Sequence, residues 1–177
     1  MIFGFVPRRL AGNADDPDPG RPFGEWFNDL EKVIKTAEGA GFEFMATYGM
    51  QSIVLFARYA AIPTRLRFAN ETLTLPMLDP VQLAPAAAHV DQMLAGRLDF
   101  GVGIGYFPPD LAAAGIARKD RVPKFVESIE IIKALWTQDE VSYHGKYFDF
   151  SGLQPTVKPY QKPYPPIIVS SQAHGSA

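Results

Sequence analysis

Short apolar runs that suit buried strands alternate with longer segments of helical period, and this alternation limits the possible folds more than any other feature of the chain. Residues 2–6 (IFGFV) form the first apolar run, closed by Pro7. Residues 8–22 are rich in Gly, Pro, Asp and Asn and read as a long loop. Trp26, Phe27, Leu30, Val33, Ile34 and Ala37 then recur at helical spacing, with Gly39 and Gly41 as stop signals. Residues 42–47 read as a second strand and 53–61 (IVLFARYAA) as a second helix ended by Pro63. Residues 66–75 (LRFANETLTL) read as one continuous third strand that closes at Pro76. Asp79 followed by Pro80 reads as an N-cap with proline in the first turn of a third helix. That helix runs to Leu94, and Pro85 within it predicts a bend or a later start. Residues 98–104 (LDFGVGI) are a fourth strand. Residues 121–136 carry Val122, Phe125, Val126, Ile129, Ile132 and Trp136 on one stripe, the clearest helix of the chain. Residues 141–143 and 147–150 flank His144-Gly145-Lys146 as a hairpin, and a proline-rich stretch over 155–166 crosses to a fifth strand at 167–170 (IIVS).

Strands that alternate with helices call for a parallel sheet covered by helices. Two architectures answer that description. An open doubly wound sheet of five strands fits the length of 177 residues as it stands. A (β/α)₈ barrel needs eight strands and typically about 250 residues, so the chain would supply only part of it. The pattern alone does not separate them. With 47% hydrophobic and 20% charged residues the composition is that of an ordinary globular chain. A net charge of −2 gives no broad attraction to nucleic acid or to anionic membranes. The absence of cysteine excludes disulfides, thiolate metal sites and cysteine nucleophiles. No apolar run approaches the roughly 20 residues that span a bilayer, and the first residues lack the pattern of a signal peptide. A cytoplasmic location is the default expectation.

Three places invite a chemical reading. Gly101-Val102-Gly103-Ile104-Gly105 ends the fourth strand. A dinucleotide fingerprint would need a third glycine where Tyr106 stands, and a helix where Phe107-Pro108-Pro109 follows. Its glycines either relieve crowding inside a narrow barrel or let a flat ring approach the backbone, and the two readings are compatible. Asn70 and Glu71 interrupt an apolar strand. A carboxylate there either faces a cavity as an acid/base or cofactor-orienting group, or pairs with Arg67 or Arg97. Ser170, Ser171, Gln172 and His174 follow the fifth strand, where hydroxyls and backbone N–H groups suit a phosphate or form an ordinary polar loop. His144 reads as a turn residue and His89 as a helix residue without a second ligand at metal spacing, so no metal site is expected. No catalytic residue is assigned.

From about residue 42 to 172 the chain resembles the bacterial luciferase-like monooxygenases, including members that use coenzyme F420. The most specific segment runs from Asp91-Gln92-Met93-Leu94-Ala95-Gly96-Arg97 into the Gly-rich strand. It is joined by Leu75-Pro76-Met77-Leu78-Asp79-Pro80-Val81, which has Asp79 where the family has His, and by the helix from Arg121 to Trp136. The hairpin Tyr143-His144-Gly145-Lys146-Tyr147-Phe148 and the run from Lys158 through Gln161 to Pro166-Ile167 complete the set.

The resemblance implies a TIM-type (β/α)₈ barrel, of which this chain covers about strands one to five as a single incomplete domain. It implies FMN as cofactor, or alternatively F420, seated at the C-terminal ends of the strands. Cofactor contacts are expected at Asn70 and Glu71, with a non-prolyl cis peptide between them, at Gly103, Ile104 and Gly105, and at Ser171 and Gln172. The implied reaction transfers one oxygen atom from O₂ to a small organic substrate at the expense of reduced FMN; with F420 it would be hydride transfer. A separate flavin or F420 reductase is the expected partner, and a homodimer the expected assembly. Two family features are missing: the histidine after the second strand falls near Gly49-Met50, and the arginine on the fourth strand is Ile104. A catalytically incompetent fragment that self-associates without cofactor is the competing expectation.

Overall fold

The computed structural model describes residues 4–5, 23–47 and 50–170. Its elements are β1 (Gly4–Phe5), α1 (Phe23–Gly39), β2 (Phe44–Thr47), α2 (Gln51–Tyr59), β3 (Arg67–Asn70), β4 (Leu73–Thr74), α3 (Pro80–Met93), β5 (Leu98–Gly103), α4 (Pro108–Ala113), α5 (Arg121–Thr137), β6 (Val141–His144), β7 (Asp149–Leu153) and β8 (Ile167–Ser170). The loop expected over residues 8–22 lies outside the described residues.

The order of strands decides between the two architectures. β1, β2, β3, β5 and β8 pair side by side in chain order, all parallel, and β4 joins β5 beyond β3. A doubly wound sheet reverses direction at a switch point. Here nothing reverses, so successive right-handed crossovers place their helices on one face, as in a barrel wall. The fold is α/β with the sheet of a partial barrel.

Side-chain alternation assigns the two faces. Phe68 packs on Phe56 and Tyr59 of α2 at ring-centroid distances of 5.7 and 5.6 Å. Phe100 meets Trp136 of α5 edge-on at 5.1 Å. With Met45, Leu98 and Val102 they form the core beneath the helices. The indole of Trp136 donates to the Ala84 carbonyl at 2.8 Å, tying α5 to α3. α3 keeps Pro85 within a continuous helix, and Asp79 caps it by accepting from Val81 N at 2.8 Å. By alternation, Ala46, Ala69, Gly101 and Gly103 belong to the opposite, concave face.

The expected third strand is two pieces. Ala69 lies opposite Asp99 and Leu73 opposite Val102. Between those pairs Asn70, Glu71 and Thr72 oppose only Phe100 and Gly101, so this strand carries one extra residue, a bulge. The non-prolyl cis peptide is Glu71–Thr72, one bond later than the resemblance implies. Regular pairing outlasts Asn70, which still matches Thr47, and Glu71 N still donates to Thr47 O at 2.9 Å; the irregularity starts only after it.

The hairpin forms with His144 opposite Asp149, so His144 ends a strand rather than sitting in the turn. Its tip is held by α5. Glu127 accepts from the backbone N–H groups of Lys146 and Tyr147, both at 2.9 Å. Asp120 takes the Tyr147 hydroxyl and the Lys146 ammonium, which together hold its carboxyl below the ordinary range. A lowered carboxyl pKa contributes stability at neutral pH that is lost as pH falls through the lowered value. The ring signals of Tyr147 should therefore titrate below the normal aspartate range, and Asp120→Asn should abolish that titration; an unchanged NMR profile in the variant would rule the contact out.

Candidate active site at the C-terminal rim

Parallel strands end on one side, so the residues that finish them meet there. Thr47 of β2 is in register with Asn70 of β3, and Gly103 of β5 with both Thr74 of β4 and Ser170 of β8. The ends of the third, fourth and fifth barrel strands thus share one rim. Among the expected cofactor residues, Asn70, Glu71, Gly103, Ile104 and Gly105 lie on it. Ser171 and Gln172 lie outside the described residues; Ser170, just before them, sits beside Gly103.

The glycines of the fourth strand interlock with the bulged segment. A Cβ at Gly101 would lie 1.7 Å from the Asn70 carbonyl oxygen. One at Gly103 would lie 3.2 Å from Thr72 Oγ1, and one at Gly105 would lie 2.6 Å from the Thr74 methyl. Residues 70, 72 and 74 therefore face 101, 103 and 105 in step. Gly105 also has φ of +77°, in the left-handed region. Its carbonyl accepts from Arg121 Nη1 at 2.7 Å, which fixes the turn after the strand to the start of α5.

Asn70 is 3% exposed, and its amide donates to Ser52 at the start of α2. Asn70 Oδ1, Thr47 Oγ1 and Tyr59 OH are buried without a well-formed hydrogen bond. Burial raises the Tyr59 phenol well above its ordinary pKa, so it stays protonated at neutral pH. Glu71 is exposed on the rim. Neither expected arginine pairs with it. Arg67 forms a fork on Asp99, with an N–O distance of 2.6 Å, and Arg97 donates to the carbonyls of Leu94, Thr64 and Leu66. Both arginines sit at the opposite end of the sheet, where β3 and β5 begin.

Sequence reading passed over Ser52, Thr72 and Arg121. Thr72 was not legible, since strict alternation places it on the face of Phe68 and Asn70, and only the extra residue of the bulge turns it toward Gly103. Arg121 reads as the start of a helix, and nothing local in the sequence shows that it reaches back to Gly105. Among the described residues no cluster of His, Asp or Glu could hold a metal ion, and no helix is long and apolar enough to cross a membrane.

The rim can be compared with known proteins. An uncharacterized protein of Mycobacterium tuberculosis is 32% identical over 124 residues, covering 70% of this chain and 42% of its own length. The FMNH(2)-dependent dimethylsulfone monooxygenase of Pseudomonas putida is 30% identical over 151 residues, covering 77% of this chain and 41% of its own length. The chain thus spans less than half the length of these relatives. Among solved structures, the monooxygenase RslO1 of Streptomyces bottropensis superimposes with a TM-score of 0.84 at 24% identity, over 97% of this chain and 54% of that one. An F420-dependent secondary alcohol dehydrogenase does so with a TM-score of 0.69 at 22% identity, over 82% of this chain and 48% of that one. These likenesses confirm the barrel fold. The model of the luciferase-like monooxygenases matches residues 3–176, and the chain belongs to that family.

Proposed function

We propose that this chain forms the cofactor wall of a flavin-dependent monooxygenase that uses reduced FMN and O₂ on a small organic substrate. The observation that carries the reading is the concave face beneath the rim. TIM-barrel interiors are filled mainly by bulky branched side chains. Near the rim that face instead offers Ala46, Ala69 and Gly103, while the place of a side chain at Gly101 is taken by the Asn70 carbonyl. Small residues at the strand ends leave space for a flat ring against the sheet.

The donors at the rim fit such a group. Thr72 brings a hydroxyl to one side of Gly103, Ser170 pairs in register on the other, and the exposed Glu71 adds a carboxylate. Asn70 contributes through its backbone, because its side-chain amide is engaged by Ser52. Gly103, Ile104 and Gly105 would form the edge of the seat, with Ser171 and Gln172 beyond β8. Bound reduced FMN supplies the electrons with which O₂ delivers one oxygen atom to the substrate. The protein's part is to hold the ring against β5, orient it by the rim hydroxyls and keep water from it. A separate reductase would supply the reduced cofactor.

Titration with FMN and with F420, followed by fluorescence, tests the reading. Saturable FMN binding is expected, weakened at least about tenfold by Gly103→Val, whose side chain would fill the seat. Saturation by F420 alone would move the chain to the hydride-transferring members. Binding of neither up to millimolar concentration would favour the fragment without cofactor.

A further inference from the structure

Three polar side-chain atoms, Thr47 Oγ1, Asn70 Oδ1 and Tyr59 OH, are buried without a well-formed hydrogen bond among the described residues. Exposure is 1% at Thr47, 3% at Asn70 and 0% at Tyr59. The fold brings them to one place. Thr47 and Asn70 are paired in register at the ends of β2 and β3. Two residues on from Met45 and Phe68, their side chains turn to the same helix-covered face. Tyr59, at the end of α2, packs on Phe68 at 5.6 Å, and its phenol lies within reach of the Thr47 hydroxyl. The Asn70 NH₂ is engaged by Ser52, which leaves Oδ1 to be satisfied. Stranded polar atoms of this kind are rare in folded proteins, because burial without a partner costs stability.

Their chemistry is complementary. Burial keeps the Tyr59 phenol protonated, so it offers a donor. Thr47 offers a donor and an acceptor, and Asn70 Oδ1 an acceptor alone. One water molecule serves all three by accepting from Tyr59 and Thr47 and donating to Asn70. Buried waters make about three hydrogen bonds in this way.

We infer that Thr47, Tyr59 and Asn70 enclose a buried water, and that through it Thr47 and Tyr59 are positioning residues for the cofactor wall. The positioning role rests on the flavin reading above; the water site does not. Thr47 holds the start of the bulge twice. Its carbonyl accepts from Glu71 N at 2.9 Å, and its hydroxyl reaches the Asn70 side chain through the water. With its amide held at both ends, by Ser52 and by the water, Asn70 keeps its carbonyl in the place where a side chain at Gly101 would stand. The strand that carries Gly103 is thereby set against the bulged segment.

The water is tested by ¹⁷O relaxation dispersion of the purified chain, which registers waters held inside the protein. Thr47→Val with Tyr59→Phe removes two of its three partners, and the dispersion should fall by the share of one water. Thr47→Ser alone keeps the hydroxyl and should keep the dispersion. Tyr59→Phe alone, which deletes a single oxygen, should lower the melting temperature; an unpaired hydroxyl would be lost at no cost or with a gain. FMN affinity should fall at least about threefold in Tyr59→Phe and hold in Thr47→Ser. Unchanged dispersion in the double variant, or a melting temperature that stays or rises in Tyr59→Phe, would overturn the water. Lost dispersion with unchanged FMN affinity would overturn the positioning role and leave the flavin reading standing. A parent chain that binds neither FMN nor F420 would sink the flavin reading and the positioning role together, while the dispersion still decides the water.

Discussion

Replacing Gly101 with alanine is expected to destabilise the fold by about 3 kcal/mol, the upper end of the usual cost of overpacking. The new methyl would stand 1.7 Å from the Asn70 carbonyl oxygen, a backbone atom that no rotamer change can move. Relief requires the extra residue of the third strand to shift, and with it the pairing of β3 and β4 on β5. Gly103→Ala is the matched control. Its methyl would stand 3.2 Å from Thr72 Oγ1, which can rotate away, so a cost of about 1 kcal/mol is expected. Urea denaturation midpoints of the two variants measure the difference. Equal shifts would mean that the bulge does not account for Gly101. Unchanged stability with lost FMN affinity in Gly101→Ala would mean instead that this glycine serves the ring directly.

That comparison also shows what the sequence makes legible. Crowding and ring approach are both good reasons for a glycine, and the residues of one strand do not choose between them. The choice depends on Asn70, which lies 31 positions earlier in the chain and meets Gly101 only through the pairing of two parallel strands. The same holds for the architecture. Helix and strand periods are local and were readable, down to the Asp79 cap. The order in which strands pair is not local, so the pattern alone leaves barrel and doubly wound sheet open; the family resemblance implies the barrel, and the register bears it out. The break in the third strand follows suit, since an extra residue exists only relative to a partner. One miss was avoidable: Phe107-Pro108-Pro109 reads as standing in place of a helix, yet Pro108 and Pro109 open α4, with proline in the first turn where a missing N–H costs nothing and Asp110 beside it. At the rim, Asn70, Glu71 and the glycines of the fourth strand stand out because they break the local apolar pattern, whereas Ile104 enters only through the family resemblance. Ser52 and Arg121 break no pattern, and only tertiary contact reveals them.

Asp91→Ala should be the second severe change, although it touches neither the rim nor the concave face. Asp91 is fully buried at the end of α3. It accepts from Gln161 N and Gln161 Nε2, both at 2.8 Å. Gln161 in turn donates to Leu98 O at 2.7 Å and accepts from Arg67 Nη2 at 3.2 Å, while Arg67 forks onto Asp99. One carboxylate thereby fixes the segment that leads into β8 to the first residues of β3 and β5. The alanine variant removes two hydrogen bonds from part-buried donors to a charged acceptor, leaving Gln161 N without a partner and Nε2 with Leu98 O alone; at roughly 1.5–3 kcal/mol apiece, a loss of about 4 kcal/mol is expected. Asp91→Asn keeps the volume and one acceptor but turns an NH₂ toward a donor, so its cost should fall between parent and alanine. Glu31→Gln, which removes the exposed i,i+4 pair with Lys35, should leave the denaturation midpoint where it is. The two ends of the sheet are coupled through β8: if its lead-in comes loose, the register of Ser170 with Gly103 is lost, and FMN affinity should fall in step with stability across the Asp91 series. A variant that unfolds more easily yet binds FMN as the parent does would show that the rim is built without help from below.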